Sequence, residues 1–596
     1  MKFLPVSRGL VAASLLVPLT AALASQASST LTPQQVGSTG PVTVAPRVPV
    51  PAGQPCVVNL IQDETTSSHY TYMPPPGCSG PWAKVVLKVN VTEKGAWGST
   101  KTDLRLGGFT IYEATLPKSA ATSTWEVERD LTDFTALLEE AHNGQMIVAP
   151  DQDIWSSEAY IPDEVSLGAQ LLFYRASSSH PAPKTPDALY RILPPPAALP
   201  PLPRNIDRAY LDVYNQQPWW FTCATDQEVQ NSGLPFISAL AMGAELKYGI
   251  ASPAHNGCGG GSFAEMLVRL DGTPAGVVPV FPMLTGAFSI YFPHTVNAPA
   301  QPPQMLDHIP YRLDLTPFSP RLDEAGTHRI ELSRTADATL FVYLDKGTTL
   351  VSGFVTRNTL DTQQHPLIDD TISTADDTGT ATVSTSLDRD YTIEGYMNTS
   401  RGRVDLSVHQ TSHFLNRQAF YFDGLQYPDY RHYRQHLWLE SQTQQHSTRT
   451  RAGTVLDDNT LTASYPLEVL WNADGHVVDN DAPETIPTNE SASVEQHWNL
   501  DTTHLRNGFA PYTSRVRESF ISSRTRDLQT QQDSNWQSQA QYLFNDSPGS
   551  CYQSTLTTLD GAVATEDRGV GCPNGQNHVR WRAHPDGSPD SLGWTH

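Results

Sequence analysis

The chain has 596 residues, too many for one hydrophobic core, so three or four domains are expected. Charged residues make up 17% against 39% hydrophobic, and Pro, Gly, Ser and Thr are abundant, which suits short strands and turns and argues against a helical protein. The formal net charge of −23 argues against a nucleic-acid partner, because phosphates would be repelled.

In chain order, residues 1–24 read as a secretory signal. Lys2 and Arg8 supply the positive start, residues 9–19 an apolar run, and Ala22, Leu23 and Ala24 a small-residue cleavage site. The run is too short for a membrane anchor and is broken by Pro18. No later stretch holds 18 consecutive apolar residues, so a secreted or periplasmic protein is expected, with no membrane attachment after signal cleavage. Residues 25–54 are rich in Ser, Thr, Pro and Val without apolar periodicity and read as a flexible leader.

The first globular domain is expected at 55–180. Alternating apolar residues over 82–91, 124–131 and 166–174 predict strands, and 133–141 predicts one short helix. The Pro-rich stretch 181–204 cannot supply ladder hydrogen bonds and reads as a stiff linker. A second β domain follows at 205–345, with strands over 208–214, 265–270 and 339–344 and a tight turn at Asp271-Gly272. Residues 346–596 stay β-like but more polar, and one sheet or two would accommodate them.

Six cysteines fall as three sequential pairs separated by 22, 35 and 21 residues. An even count in an exported chain favours disulfides, and although six cysteines allow 15 connectivities, the short spacings favour Cys56–Cys78, Cys223–Cys258 and Cys551–Cys572. No CxxC-type knuckle supports a metal site.

Signatures of familiar chemistry are mostly missing. There is no GxSxG elbow, and the run from Gly259 to Ser262 lacks the lysine of a phosphate loop. His432 and His436 stand four apart without the glutamate of a zinc motif, and on a strand they would merely share a face. Two segments stand out: Trp219, Trp220 and Phe221 just before Cys223, and a Gly-rich turn after Cys258 that ends on Glu265. Aromatic faces stack on sugar C–H surfaces and carboxylates activate water; equally, such aromatics form ordinary cores.

These segments resemble the peptide-N-glycosidase A family. The matching pieces run in order: Cys56 to Leu60, Tyr72 to Cys78, Gly80 to Leu87 (including Trp82), Leu106 to Gly108, Trp125 to Thr132, Asn205 to Tyr214, Cys258 to Gly261, Val278 to Pro282, Pro310 to Phe318 and Leu344 to Gly347. About half the chain, residues 54–349, is covered. The resemblance implies two jelly-roll-like antiparallel β-sandwich domains with a glycan site between them, followed by a β-rich C-terminal region, within an all-β fold. It further implies a secreted, monomeric amidase that needs no cofactor and no metal. Its partners would be N-glycosylated peptides or glycoproteins, and it would hydrolyse the bond between GlcNAc and asparagine.

Three segments depart from the family pattern. The family's aromatic-Asp-Arg triplet maps to Ser99 and Thr100, leaving Asp103 as the nearest carboxylate and, on a strand, on the same face as Ser99. Gln217 and Pro218 replace two acids, and Ala264 replaces an arginine, while Glu265 is kept. The expected catalytic carboxylates are therefore Asp103 and Glu265, with Trp219, Trp220 and Trp82 as sugar contacts. The alternative is a glycan-binding relative that kept the fold and lost the amidase chemistry.

Overall fold

The computed structural model describes residues 37–583 apart from 66, 95–99, 117–121, 151–163, 193–197, 219, 223–261, 285–298, 364–365, 376–377, 424–431, 475–476, 479–484, 487–488, 507–509, 528–529, 531 and 582. Eight strands build the first domain: β1 (Cys56–Glu64), β2 (Ser68–Tyr72), β3 (Trp82–Lys94), β4 (Thr100–Leu106), β5 (Phe109–Leu116), β6 (Ser123–Asp130), β7 (His142–Pro150) and β8 (Glu164–Arg175). They pair antiparallel in two sheets, ordered β1-β8-β3-β6 and β2-β7-β4-β5. This is the strand order of a jelly roll.

Period-two patterning explains the inner faces. Val85, Leu87, Val89 and Val91 of β3 alternate into the core, where they meet Leu104 and Leu106 of β4 and Tyr112 of β5. Each such aliphatic side chain contributes about 1.5–3 kcal/mol by leaving water. The expected helix shrinks to a 3-10 turn at Thr132–Phe134 and one turn of α-helix, α1 (Thr135–Leu138). Glu139 and Glu140 then lead into β7, which begins at His142 and takes the chain into the sheet.

The second domain contains β9 (Ala188–Ile192), β10 (Ile206–Val213), β11 (Gln216–Pro218), β12 (Glu265–Leu270), β13 (Thr273–Pro279), β14 (Phe281–Met283), β15 (Tyr311–Asp314), β16 (Ile330–Leu332) and β17 (Ala338–Leu344). Its sheets run β15-β10-β17-β9 and β13-β12-β16, with a short parallel pair of β11 and β14. Taken together the two main sheets have jelly-roll order without the second strand. Strand β9 lies inside the stretch read as a linker. Between the prolines, Ala188, Tyr190 and Ile192 alternate onto the core, and the strand pairs with β17. Further along that Pro-rich stretch, Leu199 is buried beside the second sheet and donates its N–H to His328 O at 2.8 Å. Pro200 and Pro201, which follow it, have no N–H with which to extend that bond into a ladder.

The C-terminal region forms a single sheet of 12 strands: β18 (Ser352–Asn358), β19 (Leu367–Ala375), β20 (Thr378–Thr399), β21 (Gly402–Asp423), β22 (His432–Arg451), β23 (Thr454–Ser464), β24 (Leu467–Asp474), then, after a two-stranded ribbon of β25 (Val477–Val478) and β26 (Thr485–Ile486), β27 (Asn489–Arg506), β28 (Tyr512–Asp527), β29 (Gln532–Asp546), β30 (Cys551–Leu559) and β31 (Ala562–Arg568). At 22 residues each, β20 and β21 span roughly 70 Å. One face packs on the second jelly roll, sharing its core through Val383, Tyr391, Phe414, Leu437 and Trp498. Buried amides stitch the contact: Gln410 donates to Val277 O (2.9 Å), and Asn416 to Phe221 O (2.8 Å) and Ser262 O (2.9 Å).

The leader, expected to be flexible, is a strap from Gly37 onward. Gly37 donates to Val563 O, Val563 to Ser38 O, and Val42 bridges to Ala300, with Val42 and Val44 buried in the shared core. Small and β-branched side chains between its prolines fit an extended groove-filling path. Disulfides join Cys56 to Cys78 and Cys551 to Cys572, whereas Cys223 and Cys258 lie outside the described residues. Among the described residues no helix is long and apolar enough to cross a membrane.

Candidate active site between the jelly rolls

The β4–β5 hairpin positions the site. Gly107 and Gly108 adopt φ of +58° and +85°, the left-handed pair that a two-residue hairpin turn requires. Counting from that turn would set Tyr112 opposite Asp103. A bulge between Leu104 and Arg105 shifts the register by one, so Glu113 faces Asp103 instead. Lys101, Asp103 and Arg105 on β4, with Thr110, Glu113 and Thr115 on β5, then share the face turned away from the first core.

The second jelly roll covers this face. Residues 305–308 run along the free edge of β5 as a further strand would, with Thr115 N bonded to Met305 O (2.9 Å) and His308 N to Glu113 O (2.8 Å). Tyr112 Oη donates to Leu306 O (2.7 Å), and Tyr214 Oη to Thr110 O (3.3 Å). Arg312 joins Asp212 (2.7 Å) on its own sheet to Asp133 (2.9 Å) of the first domain, beside an edge-on pair of Phe134 and Phe341.

Two carboxylates directly opposite on neighbouring strands repel, so the surroundings must offset them. Glu113 Oε1 accepts hydrogen bonds from His308 Nδ1 (2.9 Å) and Lys101 Nζ (3.0 Å). Arg105 Nη2 reaches both Asp103 Oδ2 (3.1 Å) and Asp337 Oδ2 (2.7 Å), and Thr110 Oγ1 donates to Asp337 Oδ2 (3.0 Å). Asp103 is 6% exposed and its Oδ1 has no hydrogen-bond partner, whereas the Lys101 side chain is 44% exposed and opens the cluster to solvent.

The environments separate the two acids. Burial, reinforced by the charge of Glu113, pushes the Asp103 carboxyl above the usual range despite Lys101 and Arg105. Burial also pushes Glu113 up, but His308 and Lys101 outweigh it and hold Glu113 low and ionised. A pair split in this way can divide acid and base roles. The carboxylate oxygens of Asp103, Glu113 and Asp337 lie within 4.8 Å of one another, a donor set that a divalent cation accepts. Lys101 and Arg105 hold those same oxygens and would have to be displaced first.

Of the residues singled out from sequence, Asp103 is central to this cluster. Glu265 is not brought to it: its carboxylate is closed in a two-pronged pair with Arg389 of β20, at 2.5 and 2.7 Å, with both side chains buried. Trp82 and Trp220, expected as sugar contacts, are 2% and 3% exposed. Trp82 packs on Phe173 and donates to Cys78 O, and Trp220 packs on Phe221 and Phe414. Rings enclosed in this way are core residues and cannot stack on a sugar. Trp219 and Ser99 lie outside the described residues. His432 and His436 share the outer face of β22, each bonded to an acid of β24, Asp474 and Glu468 respectively. Sequence reading missed Glu113, Lys101, Asp337 and His308. Glu113 is the single charged residue of β5, and only the bulge gives it meaning.

No family model matches the chain, and no curated protein matches it. Among solved structures, dimeric latent PorU from Porphyromonas gingivalis aligns with 90% of this chain and 88% of that chain at 8% identity, with a TM-score of 0.16. A likeness of that size carries no argument.

Proposed function

We propose that the chain is an exported glycoamidase of the peptide-N-glycosidase A type, which releases N-glycans from glycopeptides or glycoproteins. The observation that supports this reading is Asp103, buried between two jelly rolls and facing an acid held at the opposite protonation preference. In the proposed reaction, ionised Asp103 takes a proton from water as its oxygen bonds to the amide carbon of the glycosylated asparagine. Arg105 and Lys101 stabilise the oxyanion that forms. The C–N bond then breaks, the nitrogen leaves with the proton as a glycosylamine, and aspartate remains in the peptide. Glu113 stays ionised throughout and sets the basicity of Asp103.

One observation favours the second reading, a glycan-binding relative without amidase chemistry: Glu265, the acid retained from the family pattern, is locked to Arg389 and contributes no free carboxylate. Incubating the purified chain with an N-glycosylated glycopeptide separates the two. Amidase activity yields free glycan and converts asparagine to aspartate; binding without release between pH 3 and 8 (roughly the range over which these carboxylates titrate) selects the second reading.

A further inference from the structure

The mouth of the cluster holds a cation with no carboxylate of its own. Arg191 lies on β9, the edge strand of its sheet, opposite Thr339 of β17. It leans across the domain boundary onto the β4–β5 turn, so closely that a Cβ on Gly108 would stand 3.3 Å from its Nη1. Lys101 pairs with Glu113, and Arg105 spans Asp103 and Asp337 through a single nitrogen. Arg191 makes no hydrogen bond or ion pair among the described residues, although Arg105 and Asp337 are both within electrostatic reach. The Nε of Arg105 is buried and has no hydrogen-bond partner.

Two guanidinium groups set side by side repel, and Asp337, already bonded to Arg105 and Thr110, offsets the second of them only in part. Burial and the charge of Arg105 both push the Arg191 guanidinium below its ordinary range. Gly108 carries no side chain, so the Arg191 guanidinium rests directly against the turn. A guanidinium fork matches a carboxylate through two parallel N–H···O bonds, and a guanidinium with no acid bonded to it among the described residues suits a monoanion.

We propose that Arg191, with Arg105 beside it, forms a carboxylate-binding subsite at the mouth of the interdomain cluster, which selects substrates bearing an acidic group. This rests on reading the cluster as the glycopeptide site. The carboxylate comes either from an acidic terminal sugar of the glycan or from the C-terminus of the peptide, and both present the same chemistry.

Four glycopeptides distinguish the sources: sialylated or asialo glycan, each with a free or an amidated C-terminus. Calorimetric binding to the full chain and to Arg191→Gln, at low and at physiological salt, is the measurement. We expect one acidic feature to tighten binding about tenfold in the native chain, and that preference to vanish in Arg191→Gln. Whichever feature carries the preference identifies the source. Equal affinity for acidic and neutral forms, or a preference that survives Arg191→Gln, overturns the subsite. Glycan release from the same four peptides reports on the amidase reading alone. Preference without release sinks the amidase and leaves the subsite, release without preference sinks the subsite, and no binding at all sinks both.

Discussion

Between the second jelly roll and the C-terminal sheet, Glu265 meets Arg389 through two hydrogen bonds, and Arg449 is shared by Asp207 (2.8 Å) and Asp457 (3.0 Å). Each of these charges has an opposite charge against it, and neighbouring side chains bond across the contact as well, Gln410 to Val277 O, Asn416 to Phe221 O and Ser262 to Thr385. Between the two jelly rolls, Asp103 instead faces Glu113, Arg105 is stretched between two acids, and Arg191 has no ion pair among the described residues. Buried charge that is matched holds surfaces together. Buried charge that is mismatched raises the free energy of the resting protein and persists where function needs it.

The largest effect should come from unmatching the matched face. Arg389→Met leaves the Glu265 carboxylate buried without its partner and is expected to cost about 3–5 kcal/mol. Adding Glu265→Leu should recover most of that loss, since the apolar pair needs no desolvation. Urea unfolding of the single and double variants measures both. A single-variant cost below about 1 kcal/mol, the scale of an exposed ion pair, would show that the two faces do not differ in this respect.

At the mismatched face the expectation reverses. Asp103→Asn should lower glycopeptide turnover by about 10²-fold or more, the usual cost of losing a general base, while the thermal midpoint stays level or rises. Stability does not fall because the variant removes a desolvated charge that faced another. Glu113→Gln should shift the acid limb of the pH–rate profile to lower pH, because the neighbouring negative charge raises the Asp103 pKa. An acid limb that stays in place or moves upward would exclude the coupling between the two acids.

Glu93 provides a third environment against which to set both faces. It points into one end of the first jelly roll, fully buried, with neither oxygen bonded, and burial pushes its pKa up from 4.5 to about 8. A raised folded-state value makes the native chain hold the proton more tightly than the unfolded chain does. The resulting stability is complete below about pH 4.5 and is lost as pH rises to about 8. Glu93→Gln should flatten that slope and stabilise the chain at pH 7 by on the order of 2 kcal/mol. Denaturant midpoints measured at pH 5, 7 and 8.5 (spanning roughly the raised pKa) test this, and parallel slopes in the two proteins would refute it.

Strands with one apolar face were legible in the sequence. The alternation over 82–91 became β3, that over 166–174 became β8, and those over 208–214 and 339–344 became β10 and β17. The C-terminal sheet was harder to read, because its inner face carries Thr385, Gln410, Asn416 and Gln418 where a core strand would carry aliphatics. Hydrophobic periodicity cannot register amides whose partners are carbonyls of another domain. At the site, Asp103 was legible through its spacing from the Gly-Gly turn. Glu113 was not, because a one-residue bulge decides which side chain faces Asp103 and nothing in the sequence marks it. His308 and Asp337 join only through tertiary packing, from positions about 200 residues downstream.

The smallest effect tests the hinge of this comparison, the contact that ties Asp337 to the first domain. Thr110 Oγ1 and Arg105 Nη2 both donate to Asp337 Oδ2. Thr110→Val keeps the shape of the side chain and deletes one donor. Asp337 is 15% exposed and retains Arg105, so the loss should be about 1 kcal/mol, the net value of one hydrogen bond to a charged group that water partly replaces. At a matched face such a loss would appear in stability alone. Here Asp337 and Asp103 compete for the same Arg105 nitrogen, so freeing Asp337 from Thr110 should draw Arg105 further from Asp103. The Asp103 carboxyl would then lose part of the positive charge that opposes its raised pKa, and the acid limb should move to higher pH, opposite to the shift from Glu113→Gln. Stability and pH–rate measurements on Thr110→Val check both parts, and a stability loss with an unmoved acid limb would show that Arg105 does not couple the two acids.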